Sequence, residues 1–327
     1  MSIYDDTQPL DLTHVRTYPL ASRQSKIAIE DFARPVQTSS QASSNVAPSL
    51  YDFLDSLPNI LAVRSLRELA AHIRFAQAKR RAIIWGIGGH VIKSGLAPVI
   101  IDLMQRGYIS AIAANGSVLV HDAEIALTGA TSEDVDASLG AGAFGAAEET
   151  AMLLNQAAHD GARDLLGLGE ALGHILTSLK PAHENLSLLC AAYQHRIPFT
   201  AHVAIGTDIP HFHPSLNPAA LGTTTHTDFR LFAELVRRLD DGGVYLNIGS
   251  AVILPEVFLK AVTLVRNLEH PLTNFTTANF DFIQSYRPTT NVLRRPTSDG
   301  NGRSYALTGH HEIMIPLLAA AILHAPQ

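Results

Sequence analysis

The chain has 327 residues, a formal net charge of −6, 46% hydrophobic and only 17% charged residues, against roughly a quarter charged in ordinary soluble domains. So apolar a chain buries a sizeable core, which excludes disorder as its main state and hints at a large buried subunit interface. Its mild acidity without a basic stripe argues against a nucleic-acid binder, and a single Cys190 excludes an internal disulfide framework or a Cys-based zinc site.

Residues 1–50 are polar and irregular and read as an N-terminal arm, ending in Gln37-Thr-Ser-Ser-Gln-Ala-Ser-Ser-Asn45. Tyr18, Leu20, Ile27, Ile29 and Phe32 could anchor it against another subunit. Met1 to Leu20 carries Asp5, Asp6 and Asp11 and no apolar core, so it does not read as a secretory signal. Tyr51 to Arg80 is spaced as a helix, with Leu61, Leu66, Leu69, Ile73 and Phe75 on one face.

Arg81-Ala-Ile-Ile-Trp85 is a strand-like run that ends in Gly86-Ile-Gly88-Gly89, and a helix is predicted from His90 to about Arg106, stopped by Gly107. Ile109 to Ala114 reads as a second buried strand, followed by Asn115-Gly116 and a helix through Glu124. Strand, Gly-rich turn, helix, strand is the βαβ unit of a parallel sheet. Helices are predicted over 145–159, 162–180 and 184–195. Strands follow at 197–204, 243–248 and 272–277, alternating with helices at 228–239 and 255–267 and a closing helix at 312–324. The expectation is an α/β fold, Rossmann-like and doubly wound, with a mostly parallel sheet and helices on both faces. Residues 51–327 would form one such domain. The longest strongly apolar stretch, 313–323, is about half of the ~20 residues a membrane span needs, so no membrane association is expected, and the single Cys190 makes a reducing, cytoplasmic location the expectation.

In a doubly wound sheet the loops beyond the carboxyl ends of the strands line one crevice. They are expected at 86–90, 115–122, 202–213, 247–254 and 276–281. Gly86-x-Gly88-Gly89 before a helix either cradles a phosphate or is simply a tight turn. His121-Asp122-x-Glu124 offers a general base beside carboxylates, or a helix cap at Asp122. His202-Val-Ala-Ile-Gly-Thr-Asp208-Ile-Pro-His211-Phe-His213 is the densest polar cluster and reads as a substrate-binding loop. His211 and His213, with His226 and Asp228 nearby, leave a metal site open, although no strong metal motif is present. His310-His311-Glu312 and Arg294-Arg295 are further polar candidates.

Several of these segments together resemble the deoxyhypusine synthase family, in order from about residue 80 to the end. Gly88-Gly89-His90-Val-Ile-Lys-Ser94-Gly95-Leu is similar to the family's Thr-Ser-Asn-Leu-Ile-Ser-Ser-Gly-Ile. Ile112-Ala-Ala-Asn-Gly-Ser resembles its Thr-Thr-Ala-Gly-Gly loop, with His121-Asp122 where the family has paired acids. Gln194-His-Arg-Ile-Pro198 resembles its helix-to-strand corner, Ile248-Gly249-Ser250-Ala251-Val252 its Leu-Gly-Gly-Gly-Val, and Thr276-Thr277-Ala278 with Asp281 its Asn-Thr-Ala and following Asp. Ile315-Pro316-Leu317-Leu318 resembles its terminal Phe-Pro-Leu-Leu. The resemblance implies a Rossmann-type homotetramer that binds NAD near subunit interfaces and moves an aminobutyl group from spermidine to a protein lysine through an active-site lysine imine. It implies NAD contacts at Gly89, His90, Ser94, Asn115, Gly116, Asp208, Gly249, Ser250, Thr277, Ala278, Asp281, Gly309 and His310.

The chain departs from the family at the lysine. Arg287-Pro288 is followed by Thr-Thr-Asn-Val-Leu-Arg-Arg-Pro-Thr, with neither Trp nor Lys, and arginine does not form the imine. The chain's only lysines are Lys26, Lys79, Lys93, Lys180 and Lys260, and only Lys93 falls at a ligand loop. The family's double-His segment is Leu254-Pro255-Glu256, and its second loop Asp falls near His211. The reading is therefore an NAD- or nucleotide-binding transferase or oxidoreductase of this type. It would act on a small nitrogen-containing substrate and would not carry out deoxyhypusine synthesis itself. Lys93, His121, Asp122, Asp208 and His211 are the candidate catalytic residues. A metal-dependent hydrolase or lyase using the His cluster, and a non-catalytic nucleotide-binding protein, remain as alternatives.

Overall fold

The computed structural model describes residues 8, 10–19, 22–24, 26, 28–36, 49–299 and 301–324. Leu20, Ile27 and the Ser-rich stretch from Gln37 to Asn45 lie outside them. Of the remaining arm anchors, Tyr18, Ile29 and Phe32 are all exposed.

Two helices, α1 (Leu50–Ser56) and α2 (Leu61–Ala78), precede strand β1 (Ile83–Ile87). Then come α3 (Gly89–Lys93), α4 (Ala97–Gln105), β2 (Ala111–Asn115), α5 (Gly116–Thr128), α6 (Val135–Leu139), α7 (Glu148–Asp164), α8 (Leu168–Leu179), α9 (Leu188–Gln194) and β3 (Phe199–His202). The second half runs α10 (Pro218–Arg237), β4 (Gly243–Ile248), α11 (Ile253–Asn267), β5 (Phe275–Asp281), a π-helical turn (Pro288–Arg294), β6 (Arg303–Thr308) and α12 (His311–Leu323). The six strands form one sheet in the order β3-β2-β1-β4-β5-β6, and every neighbouring pair is parallel. The expected doubly wound α/β architecture is the observed one.

Side chains alternate across the strands, so the central strands feed two cores. Ile83, Trp85 and Ile87 of β1 join Ile112, Ala114, Leu246 and Ile248 in a large cluster with α2, α4, α5, α8, α9 and α12. Ile84, Ala111, Ala113 and Tyr245 point the other way, into a smaller cluster with α10, α11 and the π-helical turn. There Tyr245 stacks on Phe258 with ring centroids 3.8 Å apart.

Several elements differ from those expected: residues 51–80 hold two helices, α1 and α2, rather than one, and α10 begins at Pro218 rather than Asp228. The helix predicted from His90 to Arg106 is two helices: Ser94 donates to the His90 carbonyl at 2.7 Å, and Gly95 turns the chain at φ +74° before Ala97-Pro98 starts α4. β5 extends to Asp281, so Thr277 and Ala278 sit in mid-strand and are fully buried, not in a loop beyond it. β6 was not predicted; it is the edge strand on that side, with only Tyr305 and Leu307 buried.

Candidate functional site

The sheet order brings β1 and β4 together although β2 and β3 intervene in sequence. A crevice opens beyond the carboxyl ends of strands at such a reversal. At its centre the chains touch backbone to backbone: a Cβ on Gly88 would collide with the Gly249 carbonyl oxygen, and the Gly88 amide donates to Ile248 O at 2.9 Å. That close approach accounts for the glycine after β1. On either side of this seam lie two differently built halves.

On the β2–β3 side, a cleft of about 220 Å³ is lined by Lys93, Ser117, His121, Glu124, Glu133 and Asp208, among others. Asn115 caps α5, accepting from Ser117 Oγ at 2.9 Å and Val118 N at 3.4 Å. One turn on, His121 Nδ1 lies 2.7 Å from Thr131 Oγ1, which donates to Glu124 Oε2 at 2.5 Å. Thr150 donates to the other Glu124 oxygen at 3.3 Å. Because the Thr131 hydrogen is committed to Glu124, its oxygen accepts from His121 Nδ1–H, and the neutral imidazole keeps its lone pair on Nε2. Burial alone would raise the Glu124 carboxyl, but the His121 ring, its Nδ1 3.8 Å from Oε2, and the hydrogen bonds from Thr131 and Thr150 outweigh it and hold it below the ordinary glutamate value.

Asp208 completes this half. Its carboxylate lies against the first residue of α5, so close that a Cβ on Gly116 would overlap it. Oδ2 is buried with no hydrogen-bond partner among the described residues, and burial pushes the group up to about 6. His211 Nε2 stands 4.0 Å from that oxygen, while its Nδ1 accepts from Gly206 N at 3.1 Å. Lys93, exposed at the end of α3, has no hydrogen-bond or ion-pair partner among the described residues.

On the β4–β6 side the crevice is made of rings and amides. His311 is buried and pairs its Nε2 with Phe280 O at 3.2 Å, leaving Nδ1 without a partner beside Gly249. His90 lies 5.5 Å from the His311 ring, and Phe282 stacks on His310 at 6.1 Å. Asn247 donates to Asn279 Oδ1 and to Ser250 O at 2.7 and 2.9 Å, while its own Oδ1 has no partner. Asp281 accepts from Phe282 N at 2.9 Å, and Gly309 donates to the Asp281 carbonyl at 3.2 Å.

The structure thus gathers Lys93, His121 and Asp208 in one cleft, with His211 behind Asp208. It does not bring Asp122 there. Asp122 is fully buried on the far side of α5, accepting from Ser187 Oγ (2.5 Å), Leu188 N (2.7 Å) and Leu189 N (3.0 Å) at the start of α9. Nor do the other histidines of the proposed metal cluster converge. His213 pairs with Ser215 and Glu148, and His226 packs on Phe229. Among the described residues no group of three or more His, Cys, Asp or Glu could hold a metal ion. Asp228 caps α8 and the edge of β3, accepting from Gly169 N and Ala201 N at 2.9 Å each. Of the residues implied for NAD, Gly89, His90, Asn115, Gly116, Gly249, Ser250, Asp281, Gly309 and His310 fall at strand ends. Ser94 caps α3, and Thr277 and Ala278 are inside the sheet. Ser117, Thr131 and Glu133 were not singled out from sequence. Ser117 lies four residues before His121, a helical spacing that marks a shared face, whereas nothing local marks Thr131 or Glu133.

No protein-family profile matches the chain, and no curated protein matches it. Solved structures do share its fold. A conserved LOR/SDH-type protein from Methanococcus maripaludis S2 superposes with TM-score 0.52 at 14% identity, over 80% of this chain and 70% of that one. AgrE, solved with ornithine and NAD+, gives TM-score 0.52 at 14% identity over 82% of this chain, which spans 34% of AgrE. A protein assigned as a deoxyhypusine synthase from Entamoeba histolytica aligns over 84% of this chain and 92% of its own at 11% identity, but with TM-score 0.47 it superposes too loosely to carry an argument. Among the described residues no helix is long and apolar enough to cross a membrane.

Proposed function

We propose that the chain is an NAD-dependent enzyme acting on a small nitrogen-containing substrate, the substrate seated in the β2–β3 half of the crevice and the dinucleotide in the β4–β6 half. The observation that carries this is the pairing, in one cleft, of a histidine whose Nε2 is free with a buried Asp208 oxygen that has no partner. A buried acceptor without a donor is costly and is relieved by a ligand N–H. The carboxylates of Asp208, Glu124 and Glu133 outnumber the single ammonium of Lys93, which favours a cationic substrate.

The β4–β6 half suits a dinucleotide in its donor set: the unpartnered Asn247 Oδ1 and His311 Nδ1 accept from sugar or amide groups, and the His90, His310 and Phe282 rings offer faces for a planar base. Gly249 and Ser250, Asp281 and Gly309 would border it. When bound, NAD supplies a hydride acceptor. Asp208 pairs with the substrate's charged nitrogen, His121 Nε2 takes a proton from the reacting nitrogen, and the Thr131–Glu124 pair holds the imidazole in that tautomer and stabilises it once charged. AgrE, which shares the fold, was solved with ornithine and NAD+, the ligand classes proposed for this chain. If the reaction is a transfer through an imine, Lys93 is the amine available to form it, and an adduct trapped with borohydride should vanish in Lys93→Met.

The test is turnover of NAD+ with a panel of amines and amino acids, ornithine included. At least one should be oxidised or transferred, and Asp208→Asn and His121→Ala should each reduce that rate by roughly 100-fold or more. Full activity in Asp208→Asn would refute the substrate site. Binding of NAD+ without turnover of any compound would favour the non-catalytic alternative.

A further inference from the structure

A second pocket lies well away from the crevice, at the opposite end of α12. His311 opens that helix at the crevice and His324 follows its last turn; thirteen residues at the helical rise place the two ends about 20 Å apart. Here α1, α2 and the end of α12 enclose about 340 Å³, within the range of small-molecule sites. Its walls are Leu54, Leu57, Val63 and Ala71, and its polar groups are Arg34, Arg67, Arg74, His324 and Asp55.

The charge of this pocket is unbalanced. Among the described residues Arg74 donates only to carbonyls at the end of α12, Ala321 O at 2.6 Å, His324 O at 3.1 Å and Ile322 O at 3.3 Å. Arg67 likewise donates to Leu54 O at 2.7 Å, Leu57 O at 3.3 Å and the Asn59 amide oxygen at 3.3 Å. Neutral partners satisfy these guanidiniums as donors but leave their charges unpaired. The Arg34 side chain has no partner among the described residues. The one lining carboxylate, Asp55, is already engaged by His324 Nε2 at 3.0 Å. Among the described residues, three guanidiniums therefore face one carboxylate across a partly apolar pocket.

We infer that this pocket binds a small organic anion, a carboxylate or phosphate head on a short apolar body, with Arg34, Arg67 and Arg74 around the head. Guanidinium forks match both heads bidentately. Because α1 supplies one wall and α12 another, the ligand also ties the two helices together.

The test uses the full chain and calorimetric titration with hexanoate, hexyl phosphate and hexylamine. One anion of the pair, or both, should bind once per chain, the comparison of the two naming the preferred head, and hexylamine should not bind. Arg34→Gln removes an exposed, unpartnered group and should leave stability unchanged while weakening the anion about tenfold, the scale of one charge-assisted hydrogen bond. Arg67→Gln, checked for an intact fold by circular dichroism, should do the same, and His121→Ala in the crevice should leave anion binding as it was. The inference is overturned if neither anion binds saturably, if hexylamine binds as well as they do, or if Arg34→Gln and a folded Arg67→Gln both bind at full strength.

Discussion

Asp122, buried, and Asp208, half-buried, both lie near α5, and burial raises both carboxyls to about 6. Their shifted acidity does not distinguish them; their partners do. Asp122 has three donors, all from the start of α9. It acts as a clamp between helices. Asp208 has an oxygen with no donor among the described residues, in a cleft that also holds His121 and Lys93. A perturbed carboxyl is thus a poor marker of chemistry until its hydrogen bonds have been counted.

The contrast can be broken by mutation. Asp122→Ala strips three hydrogen bonds from buried donors and should cost roughly 3–5 kcal/mol, read as a lower urea midpoint; a loss below about 1 kcal/mol would remove the clamp. Gly116→Ala should cost about 1–3 kcal/mol by overpacking, because the new methyl meets the Asp208 carboxylate. Gly222→Ala in α10 meets nothing within 4 Å and should be neutral or gain up to ~1 kcal/mol from helix propensity. Equal effects of the two would mean that Asp208 yields freely.

Asp208→Asn sharpens the comparison through pH. The folded carboxyl keeps its proton to about 6, against an ordinary value of 3.8. Between those values the folded chain binds the extra proton, so this stabilisation is complete below about pH 4 and lost as pH rises through about 6. The urea midpoint of Asp208→Asn relative to the parent should therefore improve from about pH 4 to about pH 7. A constant offset would show that Asp208 does not titrate this way. The smallest effect belongs to Thr131→Val, about 1 kcal/mol or less in stability. Its signature is kinetic: the pH profile of turnover should shift, because the link between Glu124 and His121 is cut, and an unmoved profile would deny the link a role.

The same pair shows what the sequence disclosed. His121, Asp122 and Glu124 read as one cluster along the chain. On a helix, however, neighbours in sequence diverge by about 100°, while residues three apart share a side. His121 and Glu124 therefore meet, and Asp122 turns inward. The central strands were legible because both faces are buried and the runs are continuously apolar, as in Ile83–Ile87 and Gly243–Ile248. β6, covered only at Tyr305 and Leu307, lacks that signal. The π-helical turn at Pro288–Arg294 has no period that either helix or strand templates detect. Its Asn291 is tied to Glu256 at 2.9 Å, in the stretch where the resembled family carries its lysine. The unpaired guanidiniums of the second pocket could not be read from sequence at all, since they come from the arm and α2 and close against the end of α12.

Cys190 gives the α9 clamp a built-in stopwatch. It sits in α9, three residues past Ser187, fully buried, with a thiol that burial makes harder to ionise. A thiol-specific dye can reach it only when α9 lifts from the body, so the labelling rate of the untouched protein times that local opening. Because this is the chain's only cysteine, the signal needs no engineered label and no background correction, and any ligand that stills the surrounding helices will show itself as a slower colour change.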